Sequence, residues 1–172
     1  MTDKKDEDGT SNVITLKPKQ VAPEDKRVLN QKWGKTTMEA NYTVIPSALI
    51  RGQARLGIDA TELAVLVHLL DHWWRADEMP WPSKKLLAER LRVSDKTIQR
   101  AVVRLEQGGL IQRNARYHKA GGRTSNEYDL SPLVERLKPI AADMVEAAKE
   151  AQKLKKQAER PGLKNRAKKV SS

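Results

Sequence analysis

The chain has 172 residues, 38% of them apolar, and a formal net charge of +11. This length suits one domain with a core of its own plus tails. It has no cysteine, which removes both a disulfide framework and a thiolate zinc site; no apolar signal segment opens it and no apolar run approaches the roughly 20 residues that cross a bilayer, so a cytoplasmic protein is expected.

Residues 1–31 mix charges such as Lys4, Asp6, Glu24 and Lys26 with Gly, Ser and Pro, and show no apolar period, so a disordered tail is expected there. Pro46-Ser47 opens a helical stretch that Gly57 can close in the left-handed conformation. Asp59, with Glu62 three residues on, forms a capping box for a helix whose buried stripe would be Leu63, Leu66, Leu69, Leu70 and Trp73. Met79-Pro80-Trp81-Pro82 breaks the pattern, and Ser83 caps a short helix with Leu86, Leu87 and Leu91 inward. After the turn Leu91-Arg92-Val93, Ser94 caps another helix carrying Ile98, Val102 and Leu105 at spacings of four and three. Gly108-Gly109 ends it, Leu110 to Arg113 reads as a strand, Ala120-Gly121-Gly122 as a hairpin tip and Thr124 to Leu130 as the returning strand. Two short helices joined by a tight turn and followed by a hairpin predict a winged helix-turn-helix, mainly α with a small β-hairpin.

Ser131-Pro132 starts a long C-terminal helix, in which Leu133, Leu137, Ile140, Met144, Ala147, Ala151, Leu154 and Ala158 keep a 4-3 alternation. Pro139 should kink or split this helix, and the alanines weaken the seam. The seam has two uses: homodimerisation, or packing of its first half on its own domain. From Pro161 the tail is basic, with Lys164, Arg166, Lys168 and Lys169 against no acid, and it either adds non-specific phosphate contacts or merely solubilises the chain. The expected organisation is a tail over 1–31, a winged-helix domain over 32–130, a C-terminal helix over 131–160 and a basic disordered tail over 161–172.

Charge is unevenly placed along this plan. From Lys84 to Arg123 eleven Lys and Arg stand against three acids, whereas from Thr43 to Ser83 three Arg face five acids. A field polarised in this way suits DNA better than it suits general stickiness. The exposed first half of the second helix of the motif enters the major groove, which is wide enough for a helix and carries a distinct donor pattern for each base pair. With Ile98 and Val102 facing the core, Lys96, Thr97, Gln99 and Arg100 project outward, and Arg104 follows one turn later. Arg100 suits guanine and Gln99 adenine, while Ser94 and Thr97 suit phosphate at the helix N-terminus. Arg113, Arg116, His118, Lys119 and Arg123 lie in or beside the hairpin and can reach flanking phosphates or a minor groove, and Lys84 and Lys85 suit phosphates at the start of the preceding helix.

Other constellations carry less. His68 and His72 are four apart on one helix, but Leu69 stands where a metalloprotease would have glutamate and no third ligand is near, so no metal is expected. Trp73, Trp74 and Trp81 offer rings on which bases stack, although Trp73 continues an apolar stripe and is expected in the core. Asp71, Asp77 and Glu78 sit in the acidic half with no further carboxylate nearby, and no phosphate loop or nucleophile arrangement is present, so neither catalysis nor a cofactor is expected.

The stretch from Lys32-Trp33-Gly34-Lys35 through Tyr42-Thr43-Val44-Ile45-Pro46-Ser47 and His68-Leu69-Leu70-Asp71-His72-Trp73-Trp74 resembles a family of bacterial helix-turn-helix proteins. The resemblance continues in Pro82-Ser83-Lys84, Ser94-Asp95-Lys96-Thr97-Ile98-Gln99-Arg100, Leu105 to Ile111 and Asn126-Glu127-Tyr128-Asp129-Leu130, and covers roughly residues 32 to 138. Members are winged-helix proteins often encoded on plasmids, phages or other mobile elements. The resemblance implies DNA binding in replication initiation or transcriptional control, with Trp33 and its neighbours packed on the domain.

The expectation is therefore a sequence-specific double-stranded DNA binder that regulates transcription, a homodimer through its C-terminal helix, cytoplasmic and associated with nucleoid or plasmid. The alternative is a plasmid or phage replication initiator that recruits host replication proteins. From another class comes a winged-helix module whose basic face meets an acidic protein partner.

Overall fold

Serine, aspartate and proline begin the helices, and glycine or a left-handed residue ends several of them. The computed structural model describes residues 23–118 and 122–159. The chain divides into two compact units, residues 1–43 and 44–172. The first contains α1 (Pro23–Trp33) and α2 (Lys35–Glu39), linked at Gly34, whose φ of 82° suits glycine and whose N–H donates to the Asn30 carbonyl at 2.9 Å. Residues 23–31 are thus helical where composition had suggested a disordered tail. Proline in the first helical position, Asp25 in the first turn and Lys32 in the last supply local helix signals that do not depend on a buried stripe. Trp33 is 55% exposed, with the Lys32 ammonium 5.1 Å from its ring centroid. The remainder of the predicted N-terminal tail and residues 160–172 lie outside the described residues.

The second unit runs α3 (Ser47–Arg51), α4 (Gln53–Leu56), α5 (Ala60–Asp71), α6 (Lys84–Leu91), α7 (Asp95–Gln107), β1 (Gln112–Asn114), β2 (Tyr117–His118), β3 (Gly122–Arg123), β4 (Glu127–Asp129) and α8 (Ser131–Ala158). The Asp59–Glu62 capping box is formed in both directions, by a 2.8 Å bond from the Glu62 N–H to Asp59 and a 2.7 Å bond from the Asp59 N–H to Glu62. Ser83 and Ser94 cap α6 and α7 by accepting from the backbone three residues on. Gly57 closes α4 in the left-handed conformation as expected, at φ 68°.

Gly109 repeats that device at the end of α7. At φ 65° it lets the Leu110 N–H reach the Leu105 carbonyl and its own N–H reach that of Glu106, a Schellman ending that also buries Leu105 and Leu110. At the end of α6 the same pair of bonds forms, from Val93 to Ala88 and from Arg92 to Glu89, but the left-handed residue is Arg92, at φ 53°. This is the tight turn between the two helices of the motif.

Leu49, Leu66, Leu69, Leu87, Ile98, Val102, Leu105, Leu110, Tyr128, Leu130 and Leu133 are buried in one cluster. The apolar stripe of α7 is Ile98, Ala101, Val102 and Leu105, as its spacing predicts. On α5 the facing is rotated from the expected stripe: Val65, Leu66 and Leu69 are fully buried, whereas Leu63, Leu70 and Trp73 are partly exposed and pack at the edge. Nearly every position from Ala64 to Leu70 is apolar, so periodicity alone left the facing open and packing against α7 decided it. Likewise α6 buries Leu87 and Ala88 and leaves Leu86 and Leu91 partly open.

The hairpin forms, but pairing begins at Gln112, after Leu110 and Ile111 have been buried as a connector. β1 pairs antiparallel with β4, Arg113 opposite Tyr128, and β2 pairs with β3, Tyr117 opposite Arg123. α8 is one helix of 28 residues, unbroken at Pro139, which is exposed. Its first half packs on its own unit through Leu133, Leu137 and Ile140. Gly52, between α3 and α4, makes the approach close: a Cβ there would lie 2.9 Å from Ile140 Cγ2. Beyond Met144 the helix is exposed, with Val145 at 54% and Leu154 at 65%. Among the described residues no helix is long and apolar enough to cross a membrane.

Candidate nucleic-acid interface

The side of α7 opposite its buried stripe begins at the cap. The Ser94 hydroxyl accepts the Thr97 N–H at 3.1 Å and shares a 2.9 Å hydrogen bond with the Thr97 hydroxyl. Both side chains predicted to meet phosphate are therefore first of all capping groups, and they orient the N-terminal turn with its positive dipole end outward. Lys96 and Arg100 are exposed on that turn and the next and make no ion pair among the described residues. Gln99 is half-buried between them, and its Oε1 accepts from Lys84 Nζ at 2.6 Å. This bond ties Lys84 of α6 to the outer side of α7.

Lys84 and Lys85 are exposed in the first turn of α6. With Gln99, Thr124, Ser125 and Asn126 they line an open groove of about 470 Å³ between the start of the recognition helix and the hairpin. The run Thr124-Ser125-Asn126 was expected in the returning strand but not as part of the site. Its signal was present, three small polar residues entering the returning strand, but only the pairing of β1 with β4 brings them opposite α7.

Three arginines predicted at this face are engaged elsewhere. Arg104 Nη2 donates to Asp59 at 2.8 Å and its Nε to Glu62 at 2.5 Å, so the capping box of α5 holds it. The Glu62 carboxylate raises the Arg104 pKa still further, and Glu62 is itself buried. Arg113 reaches back to Glu106 with its Nε at 2.8 Å and with Nη2, while the Glu106 carboxylate also accepts the Arg113 backbone N–H at 3.1 Å. That clasp fixes the root of the wing to the end of α7 and holds the Glu106 carboxyl below its usual range, chiefly through the Arg113 hydrogen bond. Arg116 pairs with Glu127 at 3.3 Å and lies 4.3 Å from the centroid of the Trp81 ring. Burial pushes the Tyr128 hydroxyl pKa up, in keeping with a core role.

His118 and Arg123 lie in the short strands of the wing, but their side chains, like the whole of Lys119 and of Ala120 and Gly121 in the predicted tip, are outside the described residues. The histidine pair is structural in its contacts: the His72 Nδ1 lies 2.8 Å from the His68 carbonyl oxygen, and burial lowers the His68 pKa. No group of three or more His, Cys, Asp or Glu able to hold a metal occurs among the described residues. What the structure brings together is a capped helix end, two exposed cations on it, two lysines beside it and a polar groove. Such a surface can hold a polyanion along α7 while the inner face of the same helix anchors it in the core.

Among solved structures the chain is similar to the N-terminal domain of the DnaD protein from Geobacillus kaustophilus HTA426, at 24% identity, with 74% of this chain and 96% of that one covered and a TM-score of 0.45. It is also similar to a possible transcriptional regulator from Methanosarcina mazei Go1, at 20% identity, with 67% and 97% covered and a TM-score of 0.40. A MarR family transcription regulator is similar at 25% identity, with 75% and 76% covered and a TM-score of 0.39. No curated protein matches the chain. Residues 45–150, more than half of the sequence and the whole stretch from α3 through the wing into α8, match the family described as the DnaD N-terminal domain, and the chain belongs to that family.

Proposed function

We propose that this protein binds double-stranded DNA in a sequence-specific manner and acts as a transcriptional regulator, as a binding protein rather than an enzyme. One observation carries the reading: Lys96 and Arg100 stand exposed, with no ion pair among the described residues, on the capped end of α7, whose opposite face is buried. Arg100 supplies the bidentate donor for guanine, Gln99 with Lys84 behind it the amide contact, and Lys84 and Lys85 the phosphate contacts. The wing adds phosphate contacts from His118, Lys119 and Arg123. Two copies bind two half-sites, joined through the exposed second half of α8, where Leu154 extends the heptad seam.

Membership in a DnaD family favours the second reading, replication initiation at origin repeats with host replication proteins as partners. Selection of genomic fragments from a duplex pool at about 150 mM salt, where surface charge is screened, distinguishes them. A motif that overlaps promoters supports the regulator, and direct repeats clustered at an origin support the initiator. Arg100→Ala should lose about 5- to 150-fold in affinity for the selected motif, the worth of one good bidentate contact. No enriched motif, with weak binding that vanishes as salt rises, would sink both readings in favour of an acidic protein partner.

A further inference from the structure

The segment between α5 and α6 holds a tryptophan in the open. Pro80 and Pro82 are buried while Trp81 between them is 43% exposed. The segment is tied to the wing on both sides of the indole: the Tyr128 N–H donates to the Pro80 carbonyl at 2.9 Å, and the Ser125 hydroxyl to the Trp81 carbonyl at 3.1 Å. The two prolines restrict the backbone further. An indole presented in this way contributes little to the core, and it would lose little freedom on binding a ligand.

Its surroundings indicate which ligand. The Arg116 guanidinium lies over the ring at 4.3 Å, itself oriented by Glu127. Lys84 and Lys85 follow three and four residues on in the polar groove, and Ser125, which holds the Trp81 backbone, lines that same groove. An aromatic ring stacked with a cation, beside lysines and small hydroxyl and amide groups, is the equipment for stacking a base and holding its phosphates. An apolar protein segment would leave those lysines and amides unmatched. Bases within a duplex are stacked on one another, so the platform suits a base that has left the pair.

We propose that Trp81, backed by Arg116, stacks an unpaired base of a DNA strand that departs from the duplex beside the wing, with Lys84 and Lys85 on its phosphates. The inference rests on the duplex-binding reading for the position of that strand. It gives the protein a preference for a junction or an opened site over closed duplex.

The test uses the full chain and one duplex in three forms: blunt, extended by a thymidine tail at either end, and extended by an abasic tail with the same number of phosphates. Single strands of the two tails are measured alongside. The thymidine tail should bind about 5- to 10-fold tighter than the abasic one, since only the bases differ. Trp81→Ala should abolish that ratio and leave the blunt duplex unchanged, whereas Trp81→Phe keeps most of it. Trp33→Ala, which removes an indole that is 55% exposed in the other unit, should leave the ratio intact. Equal affinity for thymidine and abasic tails at both ends overturns the proposal and leaves the indole to a protein partner, and so does a Trp81→Ala loss that is as large on blunt duplex. If the duplex is not bound but thymidine strands are preferred through Trp81, the platform stands and the duplex reading falls.

Discussion

Arg100 and Arg104 lie one turn apart on the same side of α7, and the fold treats them in opposite ways. Arg100 stands in solvent, whereas Arg104 is clasped by Asp59 and the buried Glu62. The groove beside the wing repeats the contrast, since Arg113 is bound to Glu106 while Lys84 and Lys85 of α6 line it with no ion pair among the described residues. A basic stretch therefore overstates the charge that a polyanion can reach. Cations paired with carboxylates build the scaffold, and Lys84, Lys85, Lys96 and Arg100 are exposed at the start of α6 and the N-terminal end of α7 with no ion pair among the described residues.

The contrast is best broken from the inside. Leu105→Ala, at a fully buried position on the inner face, should destabilise the domain by about 2–5 kcal/mol and abolish DNA binding only through unfolding, which thermal denaturation followed by circular dichroism would report. Arg104→Ala sharpens the comparison. It should lower the melting temperature while leaving affinity for the selected motif within about twofold of wild type, the reverse of the result expected for Arg100→Ala. An affinity loss as large for Arg104 as for Arg100 would show that the carboxylate clasp opens on binding. The smallest effect belongs to the turn between the two helices. Arg92→Gly replaces a left-handed residue that pays a steric cost and should stabilise the protein by about 0.5–1 kcal/mol, measured by chemical denaturation.

The starts of α3 and of α5 to α8, the turn of the motif, the hairpin and the buried stripe of α7 could be read from the chain because each rests on local chemistry: a capping oxygen, a glycine, a proline, or apolar residues at helical spacing. The facing of α5 and α6 could not, because leucines on several sides satisfy more than one stripe. Of the two uses left open for the C-terminal seam, packing on its own unit is observed for the first half. Leu133, Leu137 and Ile140 pack on their own unit, while Val145 and Leu154 remain on the surface. Pro139 leaves α8 unsplit because it sits on the exposed side, where its missing N–H costs one hydrogen bond without disturbing the packed face.

At the candidate site the cap and the outward set of α7 follow from the sequence around Ser94. The fate of each arginine does not, because a guanidinium 42 residues from Glu62 finds it only when α5 and α7 pack together. The groove depends in the same way on the β1–β4 pairing, and the outward Trp81 on its ties to Tyr128 and Ser125. From Pro46 onward, the order of helices and hairpin and the wet side of α7 follow from periodicity and capping, which act over a few residues. Which charges remain available follows from packing, because ion pairs and exposure are set by neighbours far away in the chain.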